Sequence, residues 1–142
     1  MKIAITGHRP SRLKHQEEAV KEWANKWLQA LKPSCVYCGM AQGTDQIIAL
    51  VAKKLNIPII CCYPFPKKSY HPVEEYIMEN NEVIYITKEY SSNFTYYLRD
   101  KYMVDNADLL LCVWDRKPHG GTFLTREYAL EKDMPIIELN II

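Results

Sequence analysis

Six short apolar runs, at 3–6, 35–38, 57–62, 83–86, 109–114 and 135–139, punctuate this chain, and the stretches between them are longer and carry apolar residues at three- and four-residue steps. This alternation constrains the fold more than any other feature. Neighbouring parallel strands must be joined by a crossover of a dozen or more residues, usually a helix, so the rhythm predicts an α/β fold. We expect a single Rossmann-like domain over 1–142, with a mostly parallel sheet and helices on both faces. Leu109-Leu110-Leu111-Cys112-Val113-Trp114 is apolar throughout, as a strand covered on both faces must be, and is expected mid-sheet.

The intervening stretches read as five helices. Val20, Trp23, Ala24, Trp27, Leu28 and Leu31 share one face of the first, with Lys21, Glu22, Asn25 and Lys26 opposite. Thr44 or Asp45 is expected to cap a second helix, whose apolar residues Ile47, Ile48, Val51, Ala52 and Leu55 precede a closing Asn56. Pro72 suits the first turn of a third helix, to about Asn80. A fourth should cover 95–106, and a fifth should start at Gly121-Thr122 and reach about Lys132.

A net charge of +1 leaves no global field to gather nucleic acid or an anionic membrane, so recognition of phosphate has to be local. No apolar run approaches the ~20 residues of a membrane helix, and Lys2-Ile3-Ala4-Ile5-Thr6 does not read as a secretory signal, so a cytoplasmic location is expected. The five cysteines are expected as free, mostly buried thiols. Cys35 and Cys38 have the spacing of half a zinc site, but on a strand they face opposite sides, and no metal is expected.

Right-handed crossovers bring every strand-to-helix loop to one edge of the sheet, where open α/β sheets bind their ligands. Four loops there carry chemistry. In Thr6-Gly7-His8-Arg9-Pro10, Gly7 permits a sharp turn and Arg9 offers a planar fork for phosphate or carboxylate; His8 is either an acid–base group or a hydrogen-bonded turn residue. Cys38-Gly39-Met40-Ala41-Gln42-Gly43-Thr44-Asp45 leads into a helix start that can aim N–H groups at an anion, with Asp45 read as a cap before a catalytic acid. It matches neither the dinucleotide fingerprint nor a Walker loop.

In the third loop, Tyr63-Pro64-Phe65-Pro66-Lys67-Lys68-Ser69-Tyr70-His71-Pro72, aromatic rings such as Tyr63 and Phe65 offer faces on which a base can stack while the ammonium groups of Lys67 and Lys68 meet phosphate; the alternative is a rigid proline-rich loop packing its aromatics inward. The fourth, His119-Gly120-Gly121-Thr122, joins adjacent glycines, a helix start and a hydroxyl donor, a combination suited to phosphate.

Together, Ile5-Thr6-Gly7-His8-Arg9, Gly39-Met40-Ala41-Gln42-Gly43-Thr44-Asp45, Tyr63-Pro64-Phe65-Pro66, Arg99-Asp100-Lys101-Tyr102-Met103-Val104-Asp105 and Gly120-Gly121-Thr122 resemble the SLOG superfamily, most nearly its small YpsA-like members. That superfamily also includes the DprA DNA-processing proteins and the LOG phosphoribohydrolases. The resemblance implies a Rossmann-like fold that binds nucleotides or related ligands, and some relatives sense nucleotide-derived signals. LOG enzymes carry Pro-Gly-Gly-x-Gly-Thr-x-x-Glu with a catalytic glutamate, after an Arg-Lys-x-x-Met-like segment. Here Arg99 is retained, one glycine is absent, and the glutamate position falls on Thr125.

The leading expectation is binding of a nucleotide-derived small molecule, with phosphate on Gly120, Gly121 and Thr122, anion contacts from Arg9 and Arg99, and the base or a second ribose near Tyr63 and Phe65. No cofactor is implied, and a homodimer is expected because YpsA-like and LOG-like relatives self-associate. An N-glycosidase is the second possibility and would need a relocated carboxylate: Asp45, Asp115 or Glu127. DprA-like binding of single-stranded DNA is the third, disfavoured because no basic stripe is present.

Overall fold

The computed structural model describes residues 1–142. In chain order the elements are β1 (Lys2–Gly7), α1 (Pro10–Leu13), α2 (Glu17–Leu31), β2 (Cys35–Cys38), α3 (Thr44–Lys54), β3 (Ile59–Tyr63), α4 (Pro72–Met78), β4 (Glu82–Tyr85), α5 (Phe94–Asp105), β5 (Leu109–Trp114), α6 (Gly121–Glu131) and β6 (Ile136–Asn140). All six strands join one sheet in the order β4-β3-β2-β1-β5-β6, and every pairing is parallel. This is a Rossmann-like α/β domain.

Period-two alternation sorts the strand residues onto two cores. Ile3, Ile5, Val36, Cys38, Leu109, Leu111 and Val113 pack with Val20, Ala24 and Leu28 of α2 and with Ile48 and Ala52 of α3. Ala4, Cys35, Tyr37, Leu110 and Cys112 pack on the opposite face with Met103 and Val104 of α5 and Ala129 of α6. Cys35 and Cys38 therefore do point to opposite faces, and all five cysteines are buried free thiols. No helix is long and apolar enough to cross a membrane.

From β1 the chain steps outward through β2 and β3 to β4 at one edge, then α5 carries it back to β5 on the far side of β1. The direction of winding thus reverses between β1 and β5. A reversal leaves the two following loops diverging over opposite faces and opens a crevice between them at the carboxyl ends of the strands.

Three details differ from what the sequence suggested. Strand β5 is interior, between β1 and β6, but lies one place from an edge; an apolar run reports cover on both faces and says nothing about rank in the sheet. A sixth helix, the single turn α1, follows β1, with Pro10 in its first turn and Leu13 buried. Neither Thr44 nor Asp45 caps α3. Gly43 holds the cap position at φ 93°, and the Thr44 hydroxyl donates to the His8 carbonyl at 3.0 Å instead.

The most demanding position in this architecture is a β5 side chain pressed between sheet and helices. Leu111 is fully buried. Leu111→Ala is expected to cost about 2–5 kcal/mol through lost burial and the residual cavity, read as a lower urea midpoint with an unchanged slope.

Candidate functional site

The loops after β1 and β2 are laced together through one carbonyl. His8 O accepts both the Thr44 N–H, at 3.1 Å, and the Thr44 hydroxyl. Such close approach needs glycine on both sides: a Cβ on Gly7 would strike the Thr44 side chain, and one on Gly43 would lie 2.6 Å from His8 O. Gly43 and Thr44 therefore build the site's frame.

A second knot joins the loop after β1 to the loop after β5. Arg12, from α1, donates Nε and Nη2 to the two Asp115 carboxylate oxygens at 2.9 and 2.8 Å, and Nη1 to the His119 carbonyl at 3.2 Å. Burial alone would raise the Asp115 carboxyl, but the Arg12 fork and the Lys117 N–H hold it well below the usual carboxylate range. His8 Nε2 accepts the Asp115 backbone N–H at 3.1 Å, and burial with the nearby Arg12 charge lowers the imidazole's pKa despite the carboxylate. A neutral ring accepting at Nε2 is a positioning group. Gly120, at φ +97°, makes room for Arg12, because a Cβ there would sit 2.8 Å from Nη1.

The third knot is buried. Arg99 donates Nε to Asp100 at 2.7 Å and Nη1 to the carbonyls of Gly39, at 2.7 Å, and Cys62, at 3.4 Å. A Cβ on Gly39 would lie 3.0 Å from both Arg99 Nη1 and Asp45 Oδ2. Asp45 itself accepts the Ala41 N–H at 3.1 Å. Burial pushes its carboxyl up from 3.8 to about 6 against the pull of Arg99, and burial raises Asp100 also.

Above these knots lie two adjoining clefts. The first, ≈ 340 Å³, is lined by Gly7, His8, Arg9, Arg12, Asp45 and Arg99 together with Asp100, Gly121 and Thr122. The second, ≈ 350 Å³, is lined by Gly39, Gln42, Gln46, Tyr63, Phe65 and Lys67, among others. Arg9, Ala41, Tyr96 and Arg99 border both. Of the residues singled out from sequence, Gly43, Thr44 and Gly120 line neither cleft and shape the loops that do.

Tyr63 is buried, with its ring against Tyr70 and Tyr85 and its hydroxyl donating to Glu74 at 3.0 Å, so Phe65 is the more open ring of that loop. Lys67 is paired with Glu74 at 2.6 Å. Sequence reasoning missed Arg12, Tyr96, Gln42 and Gln46 as lining residues, and gave Asp100 no role. Pro10 at the start of a helical turn was the signal for Arg12; spacing gives none for the others.

The three carboxylates considered for glycosidic cleavage are now separable. Asp115 is neutralised by Arg12, while Glu127 is half-exposed beside Arg126 and lines neither cleft. Asp45 and the unforeseen Asp100 both line the first cleft. Thr125 is buried, its hydroxyl donating to the Gly121 carbonyl at 2.8 Å.

No protein-family model matches the chain, and no curated protein sequence matches it. Solved structures do. DNA processing protein A from Helicobacter pylori, described with a single-stranded DNA binding mode, is 20% identical with a TM-score of 0.76, covering 100% of this chain and 66% of its own. Its counterpart from Streptococcus pneumoniae is 18% identical with a TM-score of 0.69, covering 96% of this chain and 49% of its own. The molybdenum cofactor carrier protein from Chlamydomonas reinhardtii is 15% identical with a TM-score of 0.69, covering 99% and 77%. These likenesses extend to the fold alone; the chain spans half to two-thirds of the two DNA-processing proteins.

Asp45 generates a pH dependence of definite sign. Its folded pKa lies above its unfolded one, so between about pH 4 and 6 the native state holds a proton the unfolded chain has released. The group's stabilisation is fullest below pH 4 and is lost as pH rises through 6. Asp45→Asn should remove that slope, so the variant's stability relative to the parent rises by on the order of 3 kcal/mol from pH 4 to 7.5, measured by urea unfolding at each pH.

Proposed function

We propose that this chain binds a nucleotide or nucleotide-derived phosphorylated ligand in the crevice between the loops after β1 and β5, as a YpsA-like sensor or sequestering protein of the SLOG superfamily. The observation that carries this is Gly121. Four of the chain's five glycines have a steric or conformational reason to be glycine, but a Cβ on Gly121 would meet nothing within 4 Å, and its φ is not in the left-handed region. It opens α6 at the wall of the first cleft, where backbone N–H groups and the positive end of the helix dipole favour an anion. Thr122 beside it is 6% exposed and makes no side-chain hydrogen bond within the chain, leaving its hydroxyl for a ligand.

Two further features support a small anionic ligand. Arg9 is exposed on the rim of both clefts and has no carboxylate partner, whereas Arg12 and Arg99 are each held by one. Arg99 is a weaker anion contact than its sequence position suggests, since Nε and Nη1 serve the protein; its removal should damage the fold as well as binding. Single-stranded DNA is the second reading, favoured by the Helicobacter pylori neighbour. A polynucleotide gives a steep loss of affinity with salt, and a single nucleotide a shallow one.

A LOG-type hydrolase is disfavoured by Thr125, a neutral, internally bonded hydroxyl where those enzymes carry their glutamate. Incubation with AMP, CMP, GMP or UMP is therefore expected to release no free base above the uncatalysed background by chromatography; rapid release abolished by Asp45→Asn would establish the enzyme.

The glycine pair provides the decisive binding experiment. A nucleotide at ~100 times its dissociation constant should stabilise the protein by about 2.7 kcal/mol in a thermal-shift assay. Gly121→Asp should keep the parent's melting temperature within about 2 °C and abolish that shift, because it fills open space with a negative charge. Gly120→Ala should instead melt several degrees lower through its positive φ and the Arg12 contact. A folded Gly121→Asp protein with unchanged affinity excludes this placement.

A further inference from the structure

Glu74, in the first turn of α4, is 1% exposed and is met by donors of two kinds. Two are fixed in the body of the protein: the Tyr63 hydroxyl, at 3.0 Å, and the backbone N–H of His71, at 2.8 Å. The third is the Lys67 ammonium, which reaches both carboxylate oxygens, at 2.6 and 2.8 Å. Burial alone would raise the carboxyl, but Lys67, His71 and Tyr63 together hold it below its ordinary value. Only the lysine belongs to the exposed part of the loop between β3 and α4. Positions 66–69 are exposed, between the buried Pro64 and the half-buried Tyr70.

Residues 65–70 take part in no backbone–backbone hydrogen bond, and Pro66 has no N–H to give. The segment is pinned at its two ends. The Pro64 carbonyl accepts the Thr87 N–H, at 2.9 Å, and the Thr87 hydroxyl, at 3.0 Å, while the Tyr70 hydroxyl lies 2.8 Å from that of Tyr85. Between the pins, Phe65 makes edge contacts with the rings of Tyr90 and Tyr96, and every polar tie runs through Lys67. Its N–H donates to the Tyr70 hydroxyl at 3.2 Å, and its ammonium, bound to Glu74, lies 5.9 and 5.5 Å from the ring centroids of Tyr63 and Tyr70. A segment with no hydrogen-bond ladder opens at low free energy once its side-chain ties are lost. We propose that residues 65–69 form a strap on the second cleft, latched by Lys67 on Glu74, and that unlatching swings Phe65 and Lys67 out of the cleft wall they line. Release does not strand the carboxylate, because Tyr63 and His71 still donate to it. The device is a property of the loop and holds whatever occupies the cleft.

Lys67 and Lys68 place tryptic sites within the strap, so limited proteolysis of the intact chain, read by mass spectrometry, follows its opening. The cut after Lys68 is measured against the cut after the exposed Lys14, and the cut after the buried Arg99 reports global unfolding. Lys67→Met keeps the stem that packs on the rings and removes the latch. It should speed the cut after Lys68 by at least about 10-fold with the Arg99 cut unchanged, since cleavage tracks the population of the open form. Lys67→Arg, which keeps the ion pair, should speed it by less than about 3-fold on the same reasoning. Glu74→Gln breaks the pair from the other side and serves if Lys67→Met unfolds. In the parent, raising NaCl from about 0.05 to about 1 M should speed the Lys68 cut relative to the Lys14 cut by screening the half-exposed ammonium. A folded Lys67→Met or Glu74→Gln protein cut after Lys68 at the parent's rate overturns the latch. So does a parent whose Lys68 cut is indifferent to salt, should neither variant fold.

Discussion

The guanidinium of Arg99 reaches from α5, on one face of the sheet, to the carbonyls of Gly39 and Cys62 at the ends of β2 and β3, and takes Asp100 as its partner on the way. A buried ion is tolerable only when its hydrogen-bonding capacity is met, and losing one partner strands the others. That requirement fixes several neighbours at once. Residue 39 must lack a Cβ, and Asp45 must share one cation with Asp100, which is why burial wins and its carboxyl is held up near 6. Tyr96, one turn earlier on α5, is placed with its ring 6.0 Å from the guanidinium carbon, on the border between the two clefts. The helix that returns the chain from the β4 edge to β5 is thus pinned where it also divides the crevice.

Much of the framework was legible because a parallel sheet buries both faces of its strands, so that all six strands stand out as apolar runs with boundaries displaced by two residues or fewer. The long helices α2 and α3 showed through periodicity. What stayed hidden depends on contacts between distant residues. Arg12 and Asp115 are 103 positions apart, and nothing local marks them as partners. The cap position of α3 fell to Gly43, at φ 93°, where a Cβ would lie 2.6 Å from His8 O, and the Thr44 hydroxyl donates to that same carbonyl, 36 positions away. Where the helix begins is set here by the close approach of two loops, which local capping propensity does not report. Strand rank in the sheet is likewise a matter of connection, and composition does not carry it.

The same distinction runs through the glycines. As residues of sequence, all five looked like places where backbone might approach a phosphate. Packed, Gly7 and Gly43 serve the contact between two loops, Gly39 serves Arg99, and Gly120 serves Arg12. A glycine that the protein itself fills carries no information about a ligand. Only Gly121 leaves unfilled space, and it does so at a helix start on the cleft wall.

Charge sorts in a similar way. Three arginines line the first cleft, which by count resembles a strong anion trap. Arg12 is bound bidentately by Asp115, and Arg99 lies between Asp100 and Asp45, so most of that positive charge is cancelled within the protein. Lys67, the nearest lysine of the second cleft, is likewise tied to Glu74. The field left over comes from Arg9 and the α6 N-terminus, short in range and screened within about 10 Å at moderate salt. A chain with a net charge of +1 has no long-range attraction to add. An anion bound here would therefore be held by close, oriented hydrogen bonds at a few points, with the remainder of its affinity coming from the uncharged surfaces of the two clefts.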